Sequence, residues 1–135
     1  MNYPTIKLKP KRHVSILRRH PWIFSGGLAG DLGKFKDGEI VQVLGTNGST
    51  MATGHFSSGS IAVRILSFED ETIDGAFYAK RLLNAKNLRE KIGIAGTTHT
   101  TGYRLVHAEG DQLPGLVIDI YGNVAVVQAH SKGME

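Results

Sequence analysis

Glu39-Ile40-Val41-Gln42-Val43-Leu44-Gly45-Thr46-Asn47-Gly48-Ser49-Thr50-Met51-Ala52-Thr53-Gly54-His55-Phe56-Ser57 is the stretch that decides the fold. Residues 39–44 form a β-branched run bounded by the turn signal at Asp37-Gly38, which reads as a strand. Asn47-Gly48 is the strongest short hairpin signal in a sequence, because both residues tolerate the left-handed backbone that a tight reversal needs. Residues 51–57 then read as the returning strand. Ser58-Gly59-Ser60 is a second turn. Ile61-Ala62-Val63-Arg64-Ile65-Leu66 is a third strand, with Arg64 interrupting an apolar run. Short strands at close spacing with glycine turns predict a small β-barrel.

Upstream, Thr5-Ile6-Lys7-Leu8-Lys9 alternates apolar and charged residues, as a half-buried strand does, and Pro10 ends it. Residues 13–19 suit a short helix with Val14 and Leu17 on one face and Arg18 and Arg19 at its end. Pro21 stops it. Residues 22–30 carry three glycines and read as an apolar turn region. Within it Phe24 is expected to be buried, and Trp22 to divide between core and surface.

Downstream the period changes. Thr72 or Asp74 can cap a helix in which Tyr78, Leu82, Ala85, Leu88 and Ile92 recur at helical spacing, and Lys91 and Gly93 end it. Residues 95–101 are a threonine-containing polar linker. Strands are expected over 102–106, 116–121 and 124–128, with turns at 108–115 and at Gly122-Asn123. Three strands alone are marginal, so this second region looks unfinished. The fold class is mixed α/β, mainly β: a pseudo-barrel over 1–70, a linking helix and linker over 71–101, and the β-rich start of a small α+β domain over 102–135.

Composition bounds the function. The 135 residues are enough for one domain plus part of a second, and 41% hydrophobic content is ordinary for a globular chain. No apolar run is long enough to span a bilayer, and the first ten residues lack the apolar core of a secretory signal. The expected setting is cytoplasmic, with no membrane partner. The chain has no cysteine, which excludes disulfides, thiolate metal sites and a cysteine nucleophile within it.

The net charge of +4 is unevenly spread. Lys7, Lys9, Lys11, Arg12, Arg18 and Arg19 all precede the first acidic residue, Asp31. Charges gathered in one place neutralise phosphates, whereas scattered ones only solvate a surface. In Arg18-Arg19-His20-Pro21-Trp22-Ile23-Phe24-Ser25-Gly26-Gly27, two guanidinium groups and an imidazole adjoin the sole tryptophan and a Gly-Gly step. Arginine forks match phosphate, aromatic planes stack on unpaired bases, and glycine admits a close backbone. Lys11, Arg12, Arg18 and Arg19 are therefore the candidate phosphate contacts. Trp22 and Arg64 complete the candidate RNA-binding set.

Other chemistry is poorly supported. The six histidines (13, 20, 55, 99, 107 and 130) have no metal-ligand spacing, so surface and turn roles are expected. Asp111 reads as a turn residue bonding backbone amides, and Asp119 as the structural partner of Arg104. Gly26-Gly27 and Gly30 neither follow a strand nor open a helix in the dinucleotide-binding pattern.

With these residues in view, the chain resembles the SAM-dependent large-subunit ribosomal RNA cytosine-C5 methyltransferases. The likeness is carried by residues 18–26, by Asp37-Gly38-Glu39-Ile40-Val41 and residues 61–66, by Tyr103-Arg104-Leu105-Val106 with Glu109-Gly110-Asp111, and by Leu113-Pro114-Gly115-Leu116-Val117-Ile118-Asp119. Ile120 stands where that family commonly has arginine, and His107 where it has a small amide residue. The resemblance implies a PUA domain that binds ribosomal RNA, followed by the start of a connecting α/β domain. It places S-adenosylmethionine and the nucleophilic cysteine in a methyltransferase domain of the parent protein. With no cofactor of its own and no cysteine to add to C6 of cytosine, the chain is expected to bind RNA without methylating it. The alternative is a protein-interaction or dimerisation module that forms a homo-oligomer through unpaired strand edges.

Overall fold

The computed structural model describes residues 3–95 and 102–135. The expected polar linker therefore falls largely outside the described residues, as does His99. Two compact units emerge, one running to Thr72 and the other from Ile73 to Met134.

The first unit is a curled five-stranded sheet. Its strands are β1 (Thr5–Lys7), β2 (Trp22–Phe24), β3 (Ile40–Leu44), β4 (Thr50–Phe56) and β5 (Ile61–Ser67), in the spatial order β1-β3-β4-β5-β2. β1 lies parallel to β3, while the β3–β4, β4–β5 and β5–β2 pairs are antiparallel. The hairpin forms where the sequence places it. Gly48 donates to the Gly45 carbonyl (2.9 Å), and the Asn47 side chain accepts from the Ser49 amide (3.1 Å). Val41, Val43 and Val63 are fully enclosed in the core, with Ile6, Leu8 and Ile65 around them. The β-branched rows thus pack on the inside of the curl, where burial stabilises each side chain by about 1.5–3 kcal/mol.

Three local expectations need correction. Trp22–Phe24 is a strand and not a turn, because its backbone completes the ladder beside β5. The short helix α1 spans only Val14–Leu17, and it buries Ile16 (4% exposed) while Val14 and Leu17 stay in solvent. β1 stops at Lys7, after which Leu8 makes a single bridge to Leu28.

Gly54 sits where β4 and β5 pass closest. A Cβ there would lie 2.3 Å from the Arg64 carbonyl oxygen, a backbone atom that cannot step aside alone. His55, the next residue, is 4% exposed. Burial, and secondarily the Arg64 charge, lower its pKa from 6.5 to about 4, so the folded chain holds it neutral.

The second unit is built on α2 (Gly75–Lys91) and the sheet β6-β7-β8. The Asp74 carboxylate caps α2 by accepting from the Phe77 amide (2.9 Å), which satisfies one of the free N–H groups of its first turn. Gly93, at φ +80°, takes the left-handed conformation that ends the helix. Ala85 packs with Val106 and Leu113, supported by Tyr78 and Leu82. Leu88 and Ile92 are 49% and 59% exposed, so the apolar face expected of this helix is used only along its first half.

The strands are β6 (Gly102–His107), β7 (Leu116–Tyr121) and β8 (Val124–Ala129). Arg104 and Asp119 are cross-strand partners and form the expected ion pair, with Nε donating to Oδ1 at 2.8 Å. Asp111 does accept from a turn amide, that of His107 (2.6 Å). It also receives a two-pronged contact from Arg89 of α2, with Nη2 donating to Oδ2 at 2.8 Å. Burial alone would raise the Asp111 carboxyl, but the Arg89 and His107 donors prevail and hold it below its ordinary value.

Two outcomes test this account of the first unit. Gly54→Ala should lower stability by about 1–3 kcal/mol, since neither backbone can yield without bending a strand. The fluorescence of Trp22 in a urea titration reads it, and an unchanged midpoint would refute the close approach. Secondly, between pH 6.5 and 4 the unfolded chain binds a proton that folded His55 excludes. Stability should therefore fall as pH drops through that window, by up to roughly 3 kcal/mol. A His55→Gln chain should lose that part of the slope; an identical pH profile in both proteins would contradict it.

Candidate nucleic-acid interface

The candidate site is organised by β2, an edge strand of the sheet. Its middle residue, Ile23, points into the core at 5% exposure. Side chains alternate along a strand, so Trp22 and Phe24 project from the opposite face. Trp22 stands opposite Arg64 on β5, and Arg64 stands opposite His55 on β4. Cross-strand partners share a face, so Trp22, Arg64 and His55 form one row. His55 is sealed in, whereas Trp22 and Arg64 are half-buried.

His20 ties the preceding loop to this strand. Its Nδ1 lies 3.1 Å from the Trp22 carbonyl oxygen and 3.2 Å from the Trp22 amide nitrogen, so it donates to the one or accepts from the other according to which ring nitrogen carries the proton. The His20 ring meets Trp22 edge-on at 6.2 Å and Phe24 at 6.4 Å. Phe24 is 52% exposed, against the expectation that it fills the core. The reason is register: with Ile23 facing inward, Phe24 must face out, and a ladder irregularity falls at this step.

The cations come from the segment that precedes β2 and from β5 beside it. Arg12 lays the aliphatic part of its side chain over Gly27, where an added Cβ would touch its Cβ, Cγ and Cδ within 3.9 Å. The main chain of that segment is fixed by the Lys9 amide donating to the Gly27 carbonyl at 2.9 Å. Arg18 follows the last turn of α1 and is exposed. Arg19 has φ +61°, and its guanidinium lies over the Phe68 ring at 4.8 Å. Lys11 is exposed with φ +68°. Left-handed backbone is uncommon outside glycine and costs on the order of 1 kcal/mol per residue. Among the described residues, none of Lys11, Arg12, Arg18, Arg19 and Arg64 joins an ion pair.

The structure thus brings Arg12, Trp22 and Arg64 to or beside β2, and draws Arg19 toward the end of β5. Phe24 and His20 join the row, although neither was among the candidate contacts. The signal for Phe24 was present in the Trp-Ile-Phe alternation, but the adjacent glycines masked it. Histidine clusters with the geometry of a metal site are absent among the described residues.

Comparison with known proteins places this geometry in context. Residues 6–68 match the family described as PUA-like domain. Over 132 residues the chain is 45% identical to ribosomal RNA large subunit methyltransferase I of Shewanella amazonensis, covering 96% of this chain and 33% of that protein. It is 41% identical over 135 residues to the protein of the same name from Klebsiella pneumoniae, covering 98% of this chain and 33% of that one. The chain therefore spans about a third of the length of the curated relatives it matches. Among solved structures, a Streptococcus mutans protein named for SAM-dependent methyl transfer superposes with TM-score 0.78 at 20% identity, over 97% of this chain and 34% of its own. A second, described as a methyltransferase complexed with SAH, superposes with TM-score 0.77 at 20% identity, over 99% of this chain and 34% of its own. At that identity the two structures speak for the fold alone. The segment from Ile6 to Phe68 is a PUA-like domain, in a chain homologous to bacterial proteins named ribosomal RNA large subunit methyltransferase I.

Proposed function

We propose that this chain is the RNA-binding part of a SAM-dependent ribosomal RNA methyltransferase acting on C5 of cytosine in the cytoplasm. The observation that carries this reading is a set of cations, Lys11, Arg12, Arg18 and Arg19, in no ion pair among the described residues and carried by the segment that leads into the half-buried Trp22 and exposed Phe24 of a PUA-like domain. Surface cations without ion pairs attract phosphate without first having to break a salt bridge. The left-handed turns at Lys11 and Arg19 support the reading, because strained backbone persists where a side chain must be aimed. Trp22 and Arg64 supply the base-facing side of the same surface. In this reading S-adenosylmethionine and the cysteine that activates cytosine belong to the two thirds of the relatives' length that this chain does not span. The chain's own residues bind and orient the RNA.

A second reading, a self-association module, draws on β8. Every residue of this strand is exposed, with Val124 and Val127 at 56% and 60%, and an apolar strand edge is a template for pairing.

Two measurements separate these readings. The affinity for a large-subunit ribosomal RNA fragment should fall steeply between 50 and 200 mM salt. The double variant Arg18→Ala, Arg19→Gly should bind at least ~10-fold more weakly at the lower salt, with the log–log salt slope shallower by about 1.4–1.8 for two lost phosphate contacts. Glycine at position 19 keeps the left-handed turn open to the chain. Equal affinity and slope in both proteins would remove these two residues from the interface. Sedimentation of the full chain should show a monomer; a stable dimer without RNA affinity would favour the module built on β8.

A further inference from the structure

Phe24 is the large aromatic side chain of this surface that packing does not explain. It is 52% exposed on an edge strand, and its neighbour Ile23 already supplies the inward contact. Among the described residues its ring meets one other aromatic ring, that of His20, at 6.4 Å and a 48° tilt. The chain just beyond it is uncovered at Gly26, where an added Cβ would meet nothing within 4 Å. Ser25 is held by its amide donating to the Ser60 carbonyl at 2.9 Å, so the backbone that carries Phe24 is fixed on its C-terminal side as well as by β5. The ring is therefore presented from a rigid support. Arg12 lies against Gly27, three residues on, and Arg18 and Arg19 precede His20 in sequence.

An exposed aromatic ring, in a segment that carries glycines and cations in no ion pair among the described residues, matches what an unpaired nucleotide requires. The base offers a flat apolar face and its phosphates offer charge. A duplex offers only the second, because its bases are stacked on one another. With Nδ1 of His20 engaged at the Trp22 backbone, Nε2 is the ring's remaining polar atom for a base edge or phosphate oxygen.

We infer that Phe24, flanked by His20 and Trp22 on β2, is a stacking platform for an unpaired nucleobase, so that the RNA this surface takes is single-stranded or looped and not continuous duplex. This deepens the RNA-binding reading above and rests on it.

The test compares wild type, Phe24→Ala, Phe24→Leu and Phe24→Tyr as full chains. Anisotropy at one salt concentration measures binding of a labelled 12-nucleotide single strand and of the blunt duplex of the same sequence. Phe24→Ala and Phe24→Leu should lose about 5- to 100-fold on the single strand and less than 2-fold on the duplex, and Phe24→Tyr should retain wild-type binding. Thermal unfolding should be alike in all four proteins, as the half-exposed site implies. Unchanged single-strand affinity in Phe24→Ala would overturn the inference and leave Phe24 as a contact for a protein surface. Full recovery by leucine, or equal losses on strand and duplex, would also overturn it, while the phosphate-binding role of the arginines stood. A wild-type chain that bound neither RNA would defeat the RNA-binding reading itself.

Discussion

The antiparallel pairing of Trp22–Phe24 with β5 is the constraint on which the first unit's surface depends. It fixes which of three consecutive large side chains enters the core. Ile23 goes in beside Val63, and Trp22 and Phe24 are thereby turned out. A slip of one residue would exchange them, exposing Ile23 and burying two bulky rings in a space filled by Val63 and Phe56. The same pairing sets Arg64 opposite Trp22, and through the close pass at Gly54 it holds Arg64 beside the neutral His55. The RNA-binding surface proposed for this unit is thus bound to the register of one short edge strand.

The second unit rests on a different contact. Arg89 reaches from α2 to Asp111 in the turn before β7 while its Nε donates to the Arg104 carbonyl (3.0 Å) at the edge of β6. One planar side chain thereby ties helix, turn and strand together, and both members of the pair are largely buried, at 12% and 6%. Such a pair is retained because losing either partner would strand a charge away from water, whatever the net worth of the contact. The small apolar cluster of Ala85, Val106 and Leu113 is modest for a helix of this length, which leaves much of α2 and all of β8 to solvent.

Much of the fold was legible from periodicity and turn chemistry. The Asn47-Gly48 reversal, the β-branched runs and the Asp74–Gly93 bounds of α2 are local signals, and local geometry decides them. The Arg104–Asp119 pair was also readable, since a charge within an apolar strand needs a partner nearby. Long-range outcomes were less visible. Nothing near Trp22 announces that β5 lies alongside it, and the glycines that follow imitate a loop, so a strand read as a turn. The exposure of Leu88 and Ile92 was hidden for a related reason: helical spacing shows which residues share a stripe, not how much of that stripe finds a covering element. In the candidate site, the cations were apparent from charge alone, but the aromatic ring of Phe24 was assigned to the core on the general habit of phenylalanine.

Arg19 is secured at both ends, its main chain by the left-handed turn after α1 and its guanidinium by the face of Phe68. A solvated arginine surrenders rotational freedom when it grips an anion, and that loss subtracts from the affinity gained. A side chain already immobilised before the encounter has little left to surrender. In the proposed interface Arg19 would accordingly bind with a smaller entropic penalty than Arg18 beside it, although the two carry the same charge.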